Sequence, residues 1–309
     1  MAPVGGHRSR MSAPRGRCTS SVPFRPARKK RVWAAESVQD TTLESYRTPD
    51  PRWEIILDID ALALAEGKNW VFRGGSCLPP EGRLCLAELS DGGKDAGFVR
   101  EFDRNAKAFV TTGFDLPEGK QSVSWVDGDT ILIARDWGEG TMTKAGYPFV
   151  VKELKRAQPL VQAREVFRGE PTDASTVPFV LRDSEGKVHA TGAVRAISRF
   201  EQEYVLFGPK GPIKLNLPKK ATIGGIASGR LLVTLNEDWT PSGDSRFAAG
   251  SMISYDLADW KQDPLSARPS LVFQPAARQA LGGFVSVTRG SPCPALTCAE
   301  CFGLPDRGD

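Results

Sequence analysis

The sequence predicts an all-β fold, and three observations support this prediction. Segments rich in Val, Ile, Phe and Thr recur about every 8–12 residues from residue 41 onward, a spacing typical of all-β domains. Turn-forming runs separate these segments, including DGG at Asp91, DGD at Asp127 and DSEG at Asp183. Two segments about a hundred residues apart also match each other, which indicates a repeated structural unit.

The two matching segments each read as a strand, a tight turn and a second strand. The first runs from Pro117 through SVSW, a DGD turn and TILIARD to Trp137. The second runs from Pro218 through TIGGIA, an SGR turn and LLVTLNED to Trp239. The Pro-to-Trp interval is 20 residues in the first copy and 21 in the second. One degenerate copy between them would give a period of about 50 residues, as in a propeller of four-stranded blades.

Residues 41–288 are therefore predicted to form an incomplete β-propeller of about five four-stranded blades, with irregular or disordered termini. In chain order the predicted strands are RWEIILDI, KNWVFRG, RLCLAEL, GFVREFD, AFVTTGF, SVSW, TILIARD, PFVVKEL, AREVFRG, TVPFVLRD, VHATGAVRAI, EYVLFG, PIKLNL, GRLLVTL and SMISYDL. One short helix, IDALALAEG, is predicted as a connector with Asp60 as its N-cap and Gly67 as its end. Because an open ring leaves an apolar blade face and a strand edge unprotected, we expect marginal stability.

Charge divides the chain into a basic arm and an acidic body. Residues 1–35 contain nine Lys and Arg and no Asp or Glu, which leaves 32 basic and 37 acidic residues, a net charge of −5, in the remainder. The arm, residues 1–40, has three interpretations: an organellar transit peptide, a nucleic-acid patch around PARKKR, or a disordered or non-native terminus. We favour the last. We expect no nucleic-acid partner, because the body is acidic and binding would rest on the arm alone.

The lengths of the apolar runs indicate where the protein is located, and the cysteine spacing indicates whether it binds a metal. No stretch approaches 18 consecutive apolar residues and no apolar signal-peptide core precedes residue 30, so we expect a cytoplasmic protein without a membrane partner. Cys77 and Cys85 flank the predicted LPPEGR turn and could approach each other across a hairpin. Cys293, Cys298 and Cys301 have no fourth ligand nearby, so we expect no metal and no cofactor.

Several motifs in their correct order carry a family resemblance. The runs DIDALALAEGKNWVFRGGSCLPPEGRLCLAELSDGGKDAGFVREFD, DWGEGTMTKAGYPFVVKELKR, NEDWTP and ARQALGG closely resemble the N-terminal propeller of bacterial prolyl oligopeptidase family proteins. The resemblance covers residues 41–288. It implies a serine peptidase that cleaves short peptides after proline, in which the propeller caps a C-terminal α/β-hydrolase domain and filters substrates by size.

Both ends of the chain depart from this family pattern. Residues 1–40 do not resemble the segment that precedes the propeller in the family, and residues 289–309 form an irregular Pro/Cys-rich tail. The ends therefore look like truncated or out-of-frame joins. We expect the hydrolase domain to be a missing partner, with short peptides as substrates once it is joined.

The catalytic residues of acyl transfer are not found in the sequence. The elbow pattern G-x-S-x-G is absent, and the nearest run, Gly74 to Leu78, lacks the final glycine and a following helix. Only two histidines occur, His7 in the arm and His189 in a predicted strand, where a packed or solvent-edge side chain is expected. We therefore assign no catalytic, cofactor-binding or metal residues, and we expect this chain alone to be inactive.

The remaining polar and aromatic motifs have structural interpretations. The carboxylates of Asp127 and Asp129 are explained by turn chemistry, and those of Asp58 and Asp60 by strand alternation and helix capping. The tryptophans expected to pack between blades are Trp53, Trp70, Trp125, Trp137, Trp239 and Trp260. The functional alternative to a peptidase propeller is a stand-alone propeller that acts as a protein-binding platform.

Overall fold

Four antiparallel sheets form four consecutive blades in the structure, a computed structural model that describes residues 32–36, 53–241 and 245–281. Blade 1 consists of β3 (Trp70–Cys77), β4 (Leu84–Asp91), β5 (Gly97–Asp103), β6 (Ala108–Phe109) and β7 (Asp115–Gly119). Blade 2 consists of β8 (Gln121–Asp127), β9 (Thr130–Arg135), β10 (Val150–Lys155) and β11 (Arg164–Arg168). Blade 3 consists of β12 (Ser175–Arg182), β13 (Val188–Ala196), β14 (Gln202–Gly208) and β15 (Gly211–Lys214). Blade 4 consists of β16 (Ala221–Ala227), β17 (Arg230–Leu235), β18 (Met252–Asp256) and β19 (Ser270–Phe273).

The predicted all-β class and the repeat are confirmed. Strands follow one another across each blade in chain order, and the blades begin at Trp70, Gln121, Ser175 and Ala221, so that successive starts are 51, 54 and 46 residues apart. The two matching segments are the first two strands of blades 2 and 4, and blade 3 is the degenerate copy between them. The described residues form four blades, against about five expected over 41–288. The predicted tail, residues 289–309, lies outside the described residues.

A two-stranded ribbon and a helix precede blade 1 and cover the face of blade 1 that is turned away from blade 2. The ribbon pairs β1 (Val32–Glu36) with β2 (Trp53–Asp58), and α1 (Ile59–Glu66) leads into β3. The Trp33 ring stacks on Phe72 with ring centroids 5.0 Å apart, and Ile59 at the start of α1 is fully buried. Residues 32–36 of the predicted arm therefore form a strand on the body. The remainder of the arm lies outside the described residues.

Helix α1 is the predicted connector, but its N-cap is Asp58 and not Asp60. The Asp58 carboxylate accepts the backbone N–H of Ala61 at 2.9 Å, and Asp60 lies in the first turn, where an acidic side chain favours the helix dipole. Gly67 ends the helix as predicted, in a left-handed conformation with φ of 62°. A second helix, α2 (Leu257–Gln262), was not predicted. Asp256 caps it by accepting two backbone N–H groups.

Apolar side chains between neighbouring blades make the core. Blades 1 and 2 share a cluster around Leu116, Trp125 and Ile131, and blades 3 and 4 share the largest one, around Leu231 and Ile253. Of the tryptophans predicted to pack, Trp70, Trp125 and Trp260 are buried, Trp137 and Trp239 are partly buried, and the Trp53 side chain is outside the described part. Each Å² of apolar surface removed from water contributes about 25 cal/mol to stability, so these contacts between blades are the main stabilising term.

The alternating strand directions divide the connections between two ends of the blades. The hairpins that join first to second and third to fourth strands lie at one end, which we call the turn end. The connections from second to third strands and from one blade to the next lie at the opposite end, which we call the loop end. The residues at these two ends and along the first strands decide what the propeller can contact.

Candidate functional site

The first strands of the blades stand next to one another and form an inner wall. Side chains rather than a main-chain ladder join them in the described part of the chain. The Trp125 indole on β8 donates to the Ser76 carbonyl on β3 at 2.9 Å, and the Ser124 hydroxyl donates to the Pro178 carbonyl on β12 at 2.9 Å. Arg182 on β12 donates to the carbonyls of Trp125 and, at 2.7 Å, of Val126. Blades 1, 2 and 3 are thus fastened along this wall.

Apart from the charged Arg73 and Asp127, the side chains that this inner wall exposes are small. Ser76, Thr222 and Val177, which is 39% exposed, lie on the first strands of blades 1, 4 and 3. Burial lowers the pKa of Arg182, but this guanidinium is occupied by backbone carbonyls and does not project freely from the wall. Such a surface can pass an extended peptide without holding it tightly.

Two long loops of related construction lie at the loop end. Residues 136–149 join β9 to β10 in blade 2, and residues 236–251, of which 242–244 are outside the described part, join β17 to β18 in blade 4. Each has an Asp-Trp pair near its start, at 136–137 and 238–239, and each closes on itself through one antiparallel bridge, Met142 to Pro148 in blade 2 and Trp239 to Phe247 in blade 4. The corresponding connections in blades 1 and 3 are the short segments 92–96 and 197–201.

The loop end presents aromatic rings beside cations. Lys120 pairs with Asp95 at 3.1 Å and also lies 4.4 Å from the ring centroid of Tyr147, which is 41% exposed. The hydrogen bond from Lys120 holds the pKa of Asp95 below its usual value. Phe200 is 75% exposed at the tip of its short loop, and the Arg199 guanidinium lies 5.7 Å from its ring centroid. Aromatic rings and arginine side chains are enriched at protein–protein contacts.

A second group of charges ties the loop end together from within. Arg195 forms two hydrogen bonds to the buried Asp173, at 2.8 and 2.9 Å, and approaches Glu203 at 3.4 Å. The hydrogen bond to Asp173 raises the pKa of Arg195. This network holds the connection between blades 2 and 3 against the second strand of blade 3, so the loop end has a fixed base beneath its exposed rings.

His189 is a packed side chain at the turn end. Its Nε2 lies 2.7 Å from Asp183 Oδ2, and its Nδ1 is buried without a hydrogen-bond partner. An acyl-transfer base needs a hydroxyl or thiol within reach of its free nitrogen. In residues 53–241 none is bonded to His189.

The other residues weighed in the sequence also have structural positions. Gly74 to Leu78 lies on β3 and the turn after it, and the Ser76 carbonyl accepts the Trp125 indole. Asp127 accepts the Asp129 backbone N–H at 2.8 Å, the turn contact expected for DGD. Cys77 and Cys85 are joined in a disulfide. The hairpin predicted from the sequence was compatible with this pairing but did not establish it. No cluster of three metal-ligating side chains occurs in the described residues, and Cys293, Cys298 and Cys301 lie outside them.

Comparison with known proteins identifies the family. Residues 26–204 match the family described as prolyl oligopeptidase, N-terminal beta-propeller domain. The chain belongs to the prolyl oligopeptidase family. An uncharacterized peptidase of Sinorhizobium fredii is 46% identical over 248 residues, which are 79% of this chain and 34% of that relative. An uncharacterized peptidase of Rickettsia prowazekii is 28% identical over 265 residues, which are 81% of this chain and 36% of that relative.

Solved structures similar to this prolyl oligopeptidase family chain show the same fold. A post-proline cleaving enzyme from Rickettsia typhi superposes with a TM-score of 0.67 at 24% identity, over 80% of this chain and 37% of that one. Prolyl oligopeptidase B from Galerina marginata superposes with a TM-score of 0.52 at 13% identity, over 79% of this chain and 35% of that one. The resemblance predicted from the sequence is thus confirmed. The chain spans about a third of the length of the curated relatives it matches.

Proposed function

We propose that this chain is the substrate-gating propeller of a serine endopeptidase of the prolyl oligopeptidase family, which hydrolyses short peptides after proline. An α/β-hydrolase domain supplies the serine, the histidine and the aspartate of the reaction. The propeller limits which peptides reach that domain. The family match and the peptidase relatives, of which this chain spans about a third, support the assignment.

The inner wall is the observation that carries the gating role. Within each blade the strands are joined by main-chain ladders, whereas between blades 1, 2 and 3 the first strands are joined by single side-chain hydrogen bonds such as that of Ser124. Each such bond contributes only about 0.5–1.5 kcal/mol. The first strands can therefore shift against one another at modest cost, and the passage they border can widen without unfolding a blade.

The loop end is the surface that we assign to the hydrolase domain. Its exposed Phe200 and Tyr147 lie on a base fixed by the Arg195 to Asp173 pair, so they are held in place before docking. The turn end differs, because its hairpins satisfy their own polar groups, as Asp127 and Asp183 do with backbone N–H groups of their own turns. A surface with exposed rings on a rigid base is the better docking site.

The test joins this chain to the hydrolase portion of the Sinorhizobium fredii relative. We expect the joined protein to cleave a short fluorogenic peptide after proline and to cleave a peptide of about 40 residues much more slowly. The hydrolase portion alone should lose this size discrimination. Turnover by this chain alone that a serine-directed fluorophosphonate abolishes would contradict the proposal, as would equal cleavage of the short and long peptides by the joined protein.

Two matched substitutions test the docking surface. Phe200→Ser at the loop end should weaken association of this chain with the separate hydrolase portion by about tenfold or more, as expected for a buried aromatic anchor. Val161→Ser, at the turn end and 89% exposed, should leave association unchanged. Equal effects of the two substitutions would show that the loop end is not the interface.

The same exposed Phe200 favours a second candidate, a stand-alone propeller that binds a protein partner. Gel filtration with and without the hydrolase portion separates the two. A stable, monodisperse protein whose elution does not change when the hydrolase portion is added would favour the binding platform. None of the helices in the described residues is long and apolar enough to cross a bilayer. We place the protein in the cytoplasm as part of the proposal.

A further inference from the structure

A turn of blade 1 reaches across the turn end to blade 3. Residues 78–83, which we call the strap, join β3 to β4. A Cβ atom placed on Gly186, in the first hairpin of blade 3, would lie 2.8 Å from Pro80 Cδ. A Cβ on Gly128, in the first hairpin of blade 2, would lie 3.9 Å from Leu78 Cδ2. The strap therefore lies against the turns of both following blades and covers the turn end of the inner wall.

A disulfide closes the base of the strap. Cys77 and Cys85 are directly opposite each other on β3 and β4, eight residues apart, and are joined through their sulfurs. Cys85 is fully buried, whereas Cys77 is partly exposed beside the exposed Ser76. An external thiolate therefore reaches the Cys77 sulfur more readily than the Cys85 sulfur.

The far end of the strap is held independently of the disulfide. Arg83 pairs with Asp103 at 2.6 Å, and the Arg83 carbonyl accepts the backbone N–H of Arg104 at 2.9 Å. The near end depends on the disulfide and on the Leu78 N–H, which donates to the Leu84 carbonyl at 2.8 Å. The Gly82 carbonyl also accepts a hydrogen bond from the Arg104 guanidinium at 3.2 Å, so loss of the disulfide loosens residues 78–81 while Gly82 and Arg83 keep an anchor.

We propose that the Cys77–Cys85 disulfide is a redox-sensitive latch that holds the strap across the turn end of the inner wall. A dithiol reductant attacks the Cys77 sulfur as a thiolate, forms a mixed disulfide there and displaces Cys85 as its thiolate. The second thiol of the reductant, as its thiolate, then attacks the reductant sulfur of this mixed disulfide and releases Cys77 as a thiolate. The protein disulfide gains two electrons, and the dithiol is oxidised to a disulfide. The released strap leaves Gly186, and the turn end of the wall opens.

The consequence for peptide entry rests on the proposed gating function, but release of the strap does not. Hydrogen–deuterium exchange on the full chain measures the release directly, with and without dithiothreitol. Reduction should raise exchange at the strap amides of Leu78 and Gly82 by about tenfold or more. It should also raise exchange at the amides of Gly186 and Lys187, which bond within the blade 3 turn. The hairpin at Gly229 in blade 4 should not respond.

Two variants separate the disulfide from the packing contact. The double variant Cys77→Ser/Cys85→Ser should show the reduced pattern in both conditions, so any effect of dithiothreitol that it retains belongs to the other cysteines. Pro80→Ala should raise exchange at Gly186 in both redox states, while the strap amides still respond to reduction. Free thiols at Cys77 and Cys85 in protein purified without reductant would overturn the proposal. Unchanged strap exchange on reduction, or a response confined to the strap, would also overturn it.

A second readout tests the link to gating. In the protein joined to a hydrolase domain, the oxidised form should cleave a peptide of about 40 residues several-fold more slowly than the Cys77→Ser/Cys85→Ser form. The proline-containing short peptide should be cleaved equally by both. If exchange shows release while cleavage is unaffected, the latch stands and the use of the turn end for peptide entry fails.

Discussion

The ion pair between Glu101 and Arg156 is predicted to be a principal link between blades 1 and 2. The Glu101 carboxylate is fully buried on β5 and accepts two hydrogen bonds from Arg156, at 2.9 and 3.0 Å, and one from the Phe114 backbone N–H at 2.8 Å. Arg156 also donates to the Gly128 carbonyl and pairs with Asp129 in the hairpin of blade 2. Arg156 thus supplies two of these three hydrogen bonds to the buried carboxylate, and the Phe114 amide supplies the third.

Arg156→Met removes the partner and keeps much of the apolar stem. It leaves a buried carboxylate with one hydrogen bond, and breaking a buried pair in this way costs about 3–5 kcal/mol of unfolding free energy. The matched control is Arg168→Met, which breaks a pair with Glu165 whose two side chains are 46% and 41% exposed. An exposed pair contributes about 0–1 kcal/mol. Urea unfolding followed by tryptophan fluorescence measures both.

The uncompensated charge in Arg156→Met makes a further test possible. Glu101→Gln removes that charge while its side-chain oxygen still accepts the Phe114 N–H, so the double variant should be more stable than Arg156→Met alone. A cost for Arg156→Met no larger than that for Arg168→Met would refute the reasoning. So would a double variant that is less stable than the single one.

Three further outcomes are expected. Trp125→Phe removes the indole donor to the Ser76 carbonyl and should lower the unfolding free energy by about 1 kcal/mol in urea, an effect absent if the inner strands are not in contact. Gly192→Ala places a Cβ 2.3 Å from the Val205 carbonyl oxygen and should cost about 1–3 kcal/mol, whereas Gly128→Ala, with 3.9 Å to its nearest neighbour, should stay within about 0.5 kcal/mol. Lys120 lowers the pKa of Asp95 in the folded state, so this pair stabilises the fold above the unfolded-state pKa, and the stabilisation is lost as the pH falls through the folded-state pKa. Lys120→Met should therefore make the free energy of unfolding fall less steeply at acid pH.

Period-2 hydrophobic patterns were sufficient to predict most of the sheets. GFVREFD coincides with β5, and the first two strands of blades 2 and 4 lie where the matching segments placed them. The AFVTTGF segment forms only the two-residue β6, because the chain turns after it, with the Gly113 N–H donating to the Val110 carbonyl at 3.0 Å. A Cβ on Gly113 would lie 2.8 Å from Glu101. The edge strand then resumes as β7, whose Pro117 is tolerated at an edge.

The elements that the sequence did not predict depend on distant contacts. β1 is a five-residue strand directly after the basic run PARKKR, and its place is decided by Trp33 packing on Phe72 and Phe102 of blade 1. Helix α2 has only six residues, too few for a clear helical period. The strap is also a tertiary feature, since no local pattern says that Pro80 meets Gly186 more than a hundred residues later. Sequence periodicity reports which face of a strand is buried but not what covers it.

The division of bonding in this propeller argues for movement between blades rather than within them. Inside each blade the main-chain ladders couple many residues, so opening one requires the loss of several hydrogen bonds together. Between blades the described residues use separate side-chain links, at Trp125, at Ser124 and at Arg182, together with apolar packing that tolerates small shifts. The buried pair of Glu101 and Arg156 and the strap over Gly186 are two further contacts that oppose tilting. A propeller that gates by tilting should respond to a change at either contact in size selection before it responds in fold.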